Sequence, residues 1–127
     1  MFRAEWIVRA CALSAFGCAG LAAADGSWHY TIDETRQEQQ ANFCASLEDA
    51  EAIAAIFERF GARAGYAALS GSPDCAVAVH TFTPRKILKV LTISEGKEGE
   101  YQVYFVEVED PRGDILYLVT TRDVVTQ

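Results

Sequence analysis

From Cys75 to Arg122 the chain repeats one pattern, with apolar side chains at alternate positions and short polar breaks between the runs. The runs CAVAVHTFT (75–83), KILKVLTIS (86–94), YQVYFVEVE (101–109) and DILYLVTTR (114–122) read as four strands, because a period of two is the strand period. Pro84 closes the first, EGKEGE offers two glycines for a turn after the second, and DPRG joins the last two. Connections this short leave no room for a crossover, so consecutive strands run antiparallel as a meander. In DPRG, Pro111 presets the first central residue of a type I turn and Gly113 takes the left-handed position after it.

That three-residue loop sets the register: Asp110 opposes Asp114 and Val108 opposes Leu116. Tyr104, Val106, Val108, Leu116 and Leu118 then share one face, which is assigned to a covering helix. Phe105, Glu107, Glu109, Ile115, Tyr117 and Val119 share the other. Aromatic and aliphatic residues beside acids suit a recognition surface better than a bare solvent face, so these six form the candidate interaction face. The competing expectation is that residues 25–43 fold back over it, with Trp28, Tyr30 and Ile32 as the lid.

The helix is SLEDAEAIAAIFERFG. Ser46 is its N-cap with Asp49 three residues on, a variant of the capping box. Glu48, Asp49 and Glu51 complement the helix dipole. Leu47, Ala50, Ile53, Ala54, Phe57 and Phe60 fall on one side, and Gly61 stops the helix. ARAGYAALSGSPDC reads as a loop with one short helical turn near Tyr66 to Leu69. Upstream, SWHYTID alternates Trp28, Tyr30 and Ile32 as a strand would, and ETRQEQQ reads as a linker or short helix. The expected fold class is α+β: one main helix packed on a four-stranded antiparallel meander, with one disulfide. The alternative is a small SH3-like barrel with an added helix.

The first 24 residues differ from the rest. Arg3 and Arg9 precede ACALSAFGCAGLAAA, an uncharged run of 15 residues. A basic head, a short apolar stretch and an Ala-x-Ala ending describe a secretory signal peptide, and the run is shorter than the ~20 residues a membrane span needs. Ala22 and Ala24 place the cut after Ala24. The alternative is a lipoprotein anchored at Cys18, which the bulky Phe16 disfavours. The expected organisation is therefore a cleaved signal peptide (1–24), a polar N-terminal segment (25–43) and a single α+β domain (44–127), periplasmic or secreted, with no stable membrane span.

Cleavage removes Cys11 and Cys18 and leaves Cys44 and Cys75, which an oxidising compartment joins. A metal site would need more ligands, and only His29 and His80 are present. The net charge of −7 becomes one unit more negative on cleavage, which disfavours nucleic acid and anionic lipid and favours a basic protein partner.

No motif for a nucleophile elbow, zinc protease, P-loop or dinucleotide site is present, so no catalytic, metal or cofactor residue is assigned. His80 lies inside a strand and is the one candidate base. Glu107, Glu109 and Asp114 are the one candidate acid group, and Arg85 with Lys86 the one basic spot. The expected function is a small exported, non-catalytic binding or accessory domain of the bacterial envelope. Two alternatives stand beside it: an inhibitor of a basic extracytoplasmic hydrolase, and a small hydrolase using His80. Architecture of this kind does not fix function.

Overall fold

The computed structural model describes residues 28–94 and 99–127. The expected signal peptide, its cut after Ala24, the anchor at Cys18 and most of the EGKEGE turn lie outside these residues. In chain order the elements are β1 (Tyr30–Thr31), β2 (Arg36–Cys44), α1 (Leu47–Phe60), α2 (Ala62–Gly71), β3 (Cys75–Ser94), β4 (Glu100–Glu109), β5 (Ile115–Thr120) and β6 (Val124–Val125). The class is α+β, with a four-stranded antiparallel sheet, a main helix and the Cys44–Cys75 disulfide.

The strands are not divided as the alternation suggested. β3 is one strand of 20 residues that runs through Pro84. Its first part pairs with β2, from Cys75 opposite Cys44 to Phe82 opposite Arg36. Its second part pairs with β4, from Thr83 opposite Glu109 to Ser94 opposite Glu100. Pro84 stands just beyond the β2 ladder, beside a bulge, where its missing N–H breaks no run of bonds. ETRQEQQ is neither linker nor helix, since Arg36–Cys44 forms β2. β5 also pairs with β2, opposite Asn42 to Cys44, so the sheet closes on itself. Closure is the property of the barrel alternative; helix, strand number and disulfide are those of the first.

The β4–β5 hairpin has the expected register, with Val108 opposite Leu116. Gly113 donates its N–H to the Asp110 carbonyl at 2.9 Å and holds φ at 91°. The Asp110 carboxylate accepts the N–H of Arg112 and of Asp114, each at 2.9 Å, which locks the turn.

α1 begins as expected. Ser46 Oγ accepts the Asp49 N–H at 3.1 Å, and Ala50, Ile53, Ala54 and Phe57 are buried. Leu47 and Phe60 share that stripe but remain exposed. The glycine-bearing stretch after Gly61 is a full second helix, α2, rather than a loop. Glycine inside a helix costs ~1 kcal/mol. Gly65 offsets this by letting the Phe57 ring lie against the α2 backbone, where any Cβ would strike it. The ring also meets Tyr66 edge-on at 4.9 Å and Phe105 at 6.1 Å.

Two apolar clusters flank the sheet, and their contents reverse the expected assignment of faces. The helices cover Val103, Phe105, Val119, Leu91 and Ile93. Val106, Val108 and Leu118, with Tyr104 and Leu116 beside them, pack instead with Phe43, Phe82 and the N-terminal Tyr30, Trp28 and Ile32. So Trp28, Tyr30 and Ile32 do form a lid, over the opposite face from the one expected. The reason is local. The side chains of Cys44 and Cys75 face the Tyr117–Val119 side, and the helical pair leaves the sheet there. β1 is held by a parallel pairing with β6, Tyr30 opposite Val124.

The disulfide closes a span of 31 residues and should stabilise the fold by about 3–4 kcal/mol. The double variant Cys44→Ser, Cys75→Ser is expected to melt at least about ten degrees lower, since each kcal/mol moves a domain of this size by about 4–8 °C. Free thiols titrating in the folded protein would contradict this. Gly65→Ala is expected to cost about 1–3 kcal/mol through overpacking. An unchanged melting temperature would show that the Phe57 ring is free to move.

Candidate functional site

Closure of the sheet is incomplete. β5 meets β2 only where Val119, Leu118 and Tyr117 lie opposite Asn42, Phe43 and Cys44. Beyond Asn42 the two strands part, and a groove of about 710 Å³ opens between Gln39–Asn42 and Thr120–Asp123. Tyr66 of α2 borders it on one side of the sheet, Trp28 and Tyr30 on the other.

A bulge in β2 shapes one wall. The ladder to β3 shifts between Arg36 and Gln39, and Glu38 takes φ 45°, a left-handed conformation that costs a non-glycine residue about 1–3 kcal/mol. Strict alternation would send Arg36 and Gln39 to opposite faces. The extra residue brings them together, with Arg36 Nη2 donating to Gln39 Oε1 at 3.3 Å. The N–H of Glu38, displaced from the ladder, donates to Thr81 Oγ1 at 3.0 Å.

The redirected Arg36 lies over the Trp28 indole, 4.0 Å from its centroid. Arg122, from the turn after β5, lies 3.8 Å from the same centroid and donates to the Trp28 carbonyl at 3.0 Å. Each such stacking contributes about 0.5–2 kcal/mol. Tyr30 meets Trp28 edge-on at 5.0 Å. Two guanidinium groups and a phenol therefore surround one indole, and of these residues Trp28, Tyr30 and Arg122 line the groove.

Tyr30 is the unusual member. Its side chain is 2 % exposed, yet among the described residues its hydroxyl has no hydrogen-bond partner. A buried hydroxyl left this way costs about 1–3 kcal/mol. Burial pushes its pKa above the ordinary phenol value, while the charges of Arg36 and Arg122 pull the other way. The net effect keeps the hydroxyl protonated, a neutral donor.

The candidate interaction face fares differently. Phe105 and Val119 are buried under the helices, and Tyr117 packs partly against the same cluster. They are core, because the helices took the face assigned to a partner. Glu107 is partly buried, Ile115 is exposed, and Glu109 pairs with Arg85 at 3.1 Å. Arg85 also pairs with Asp33 at 2.9 Å, so the Arg85 half of the basic spot is an ion-pair bridge. Asp114 pairs with Arg112 at 3.3 Å. His80 rests edge-on against Phe43 at 4.8 Å. Among the described residues no group of three or more His, Cys, Asp and Glu could hold a metal, and no helix is long and apolar enough to cross a membrane. The Trp28–Tyr30 alternation was the one sequence signal pointing to the groove. Nothing in the spacing ties Arg122 to Trp28, 94 residues away.

No family model, curated protein or solved structure matches the chain.

Tyr30→Phe is expected to raise the stability of the ligand-free protein by about 1 kcal/mol, because it removes an unbonded buried hydroxyl. The same residue carries a pH signature. Its folded pKa is raised, so its contribution is constant below the unfolded phenol value of 10.0 and is lost as pH rises through the folded value. Urea denaturation between pH 8 and 11 should show the wild type losing more stability at the alkaline end than Tyr30→Phe. Parallel curves, with no gain from the variant, would mean that the hydroxyl is satisfied.

Proposed function

We propose that this chain is a small exported binding or accessory domain of the bacterial envelope, without catalysis, and that it meets its ligand in the groove between β2 and β5. The observation that carries the reading is a polar groove cut through the sheet, walled by amides and hydroxyls, with a buried phenol left unbonded at one end. Pockets with a few convergent polar groups are where ligands bind. Export rests on the basic head, the short uncharged run and the Ala-x-Ala ending of the first 24 residues.

The other readings draw less support. An inhibitor of a basic hydrolase fits the net charge of −7, which would steer a cationic partner. The acids around the β4–β5 hairpin are already engaged, though: Glu109 with Arg85, Asp110 and Asp114 with Arg112. A hydrolase working through His80 would need an orienting acid, and no carboxylate among the described residues hydrogen-bonds to that ring.

Immobilised exported protein, challenged with envelope extract and small-molecule pools, tests the proposal. Thr121→Trp fills the groove from an exposed position and should abolish retention of whatever the wild type retains. Arg112→Glu, at the hairpin, should leave it intact. If Thr121→Trp melts like the wild type and retains the same material, the groove is not the site. Specific retention and inhibition of a strongly basic lysozyme would favour the inhibitor reading.

A further inference from the structure

We infer that an extended peptide of a partner protein binds in the groove as an added strand on the open edge of β2, an inference that rests on the groove being the ligand site. The Cα atoms of Cys44 and Cys75 are 4.0 Å apart. That is the close spacing of an antiparallel pair that exchanges no backbone bonds, about 4.5 Å against about 5.5 Å for a bonded pair. The next pair alternates as it should, with the Ala45 N–H donating to the Asp74 carbonyl. The register is unbroken from Gln39 to Cys44, so Gln39, Ala41 and Phe43 bond to β3. Gln40, Asn42 and Cys44 turn their N–H and C=O to the opposite edge. β5 meets two of these three, with Val119 opposite Asn42 and Tyr117 opposite Cys44. In that register the rung at Gln40 belongs to Thr121, but the chain turns away there, and the Thr120 hydroxyl accepts the Arg122 N–H at 3.0 Å. The Gln40 N–H has no partner among the described residues, and its carbonyl has the side-chain amide of Gln39 at 3.3 Å as a stand-in. The bulge turns the Glu38 N–H back to Thr81 of β3, which leaves Gln40 as the open rung.

This donor and acceptor open onto a groove of about 710 Å³, a volume within the roughly 300–1,000 Å³ of ligand pockets. Main-chain bonds at a sheet edge hold an extended peptide, and pockets for its alternate side chains select it. Both faces of the seam supply such walls. Gln40 shares a face with Cys44, so a peptide residue opposite it points to the helix side, where Tyr66, Leu69, Val103 and Val119 line the groove. That position suits an aliphatic residue. The residues before and after it face Trp28 and Tyr30. Charge favours a basic peptide. Asp123 lines the groove and pairs with no cation among the described residues, and the whole chain carries a net charge of −7.

The test titrates the full chain, with Trp6→Phe introduced so that Trp28 is the one emitter. The probe is the peptide Lys-Thr-Val-Thr-Lys, acetylated and amidated at its ends. A saturable change in Trp28 emission is expected. Methylation of the valine backbone nitrogen removes the donor to the Gln40 carbonyl and should weaken binding about tenfold or more. Gln40→Pro removes the N–H that faces the seam and no bond to β3, so it should fold and weaken binding to a similar degree. Exchange of both peptide lysines for glutamate should weaken it about threefold or more. The inference is overturned if the peptide does not saturate, if the methylated or the glutamate peptide binds as tightly, or if folded Gln40→Pro binds as the wild type does. A protein that sediments as a dimer, and that Gln40→Pro turns into a monomer, would assign the edge to a second copy and overturn the partner peptide. Should Thr121→Trp abolish retention from extract while no peptide saturates, the groove still binds and the added strand alone falls.

Discussion

The covalent bond between Cys44 and Cys75 stands where the two halves of this architecture meet. β2 ends at Cys44 and β3 begins at Cys75, directly opposite in the ladder. Everything between them is helix and turn, an excursion whose root is tied by the disulfide and by the Ala45 N–H donating to the Asp74 carbonyl at 2.8 Å. Both cysteines are buried and belong to the cluster beneath the helices. Their side chains thus decide which face of the sheet α1 and α2 can occupy. Once that face is taken, the other is left to the N-terminal segment, and β1 must cross to reach β6. The lid, the second cluster and the position of Trp28 all follow from where the helical pair is rooted.

The parts of this fold legible in the sequence are those governed by local chemistry. Ser46 and Gly61 bound α1 because cap geometry is set within a few residues. DPRG fixes its hairpin because Pro111 and Gly113 leave the backbone few choices. What was hidden depends on distant partners. Alternation shows that Phe105 and Val119 share a face, but says nothing of which face a helix will choose. α2 looks like a loop because Gly65 reads as a breaker. Its purpose is visible only with Phe57 lying against it. Pro84 looks like a strand end because its neighbour changes there from β2 to β4, which no local rule reveals.

The candidate site is hidden for a related reason. Its members come from the segment before β1, a bulge in β2 and the turn after β5, and a single strained residue brings two of them together. Glu38 in a left-handed conformation costs stability, and so does a phenol buried without a partner. Two unfavourable features at one end of one groove are more than a core alone requires. A fold selected for stability would place phenylalanine at position 30 and a regular strand through position 38.

The polar character of β2 has the same origin as the groove. A strand paired along both edges and buried on both faces can be apolar throughout, as the middle of β4 nearly is. β2 is paired with β5 only near its end, so residues 39 to 41 present an unfilled edge. Exposed edges of this kind invite pairing with other chains unless polar or charged residues and bulges blunt them. Arg36, Gln37, Glu38, Gln39 and Gln40, with the bulge among them, do this. The residues that made the segment look like a linker are those an incompletely closed sheet needs at its open seam. A run of polar residues next to a buried cysteine is therefore as consistent with a strand bordering a groove as with a loop, and here the groove is what distinguishes them.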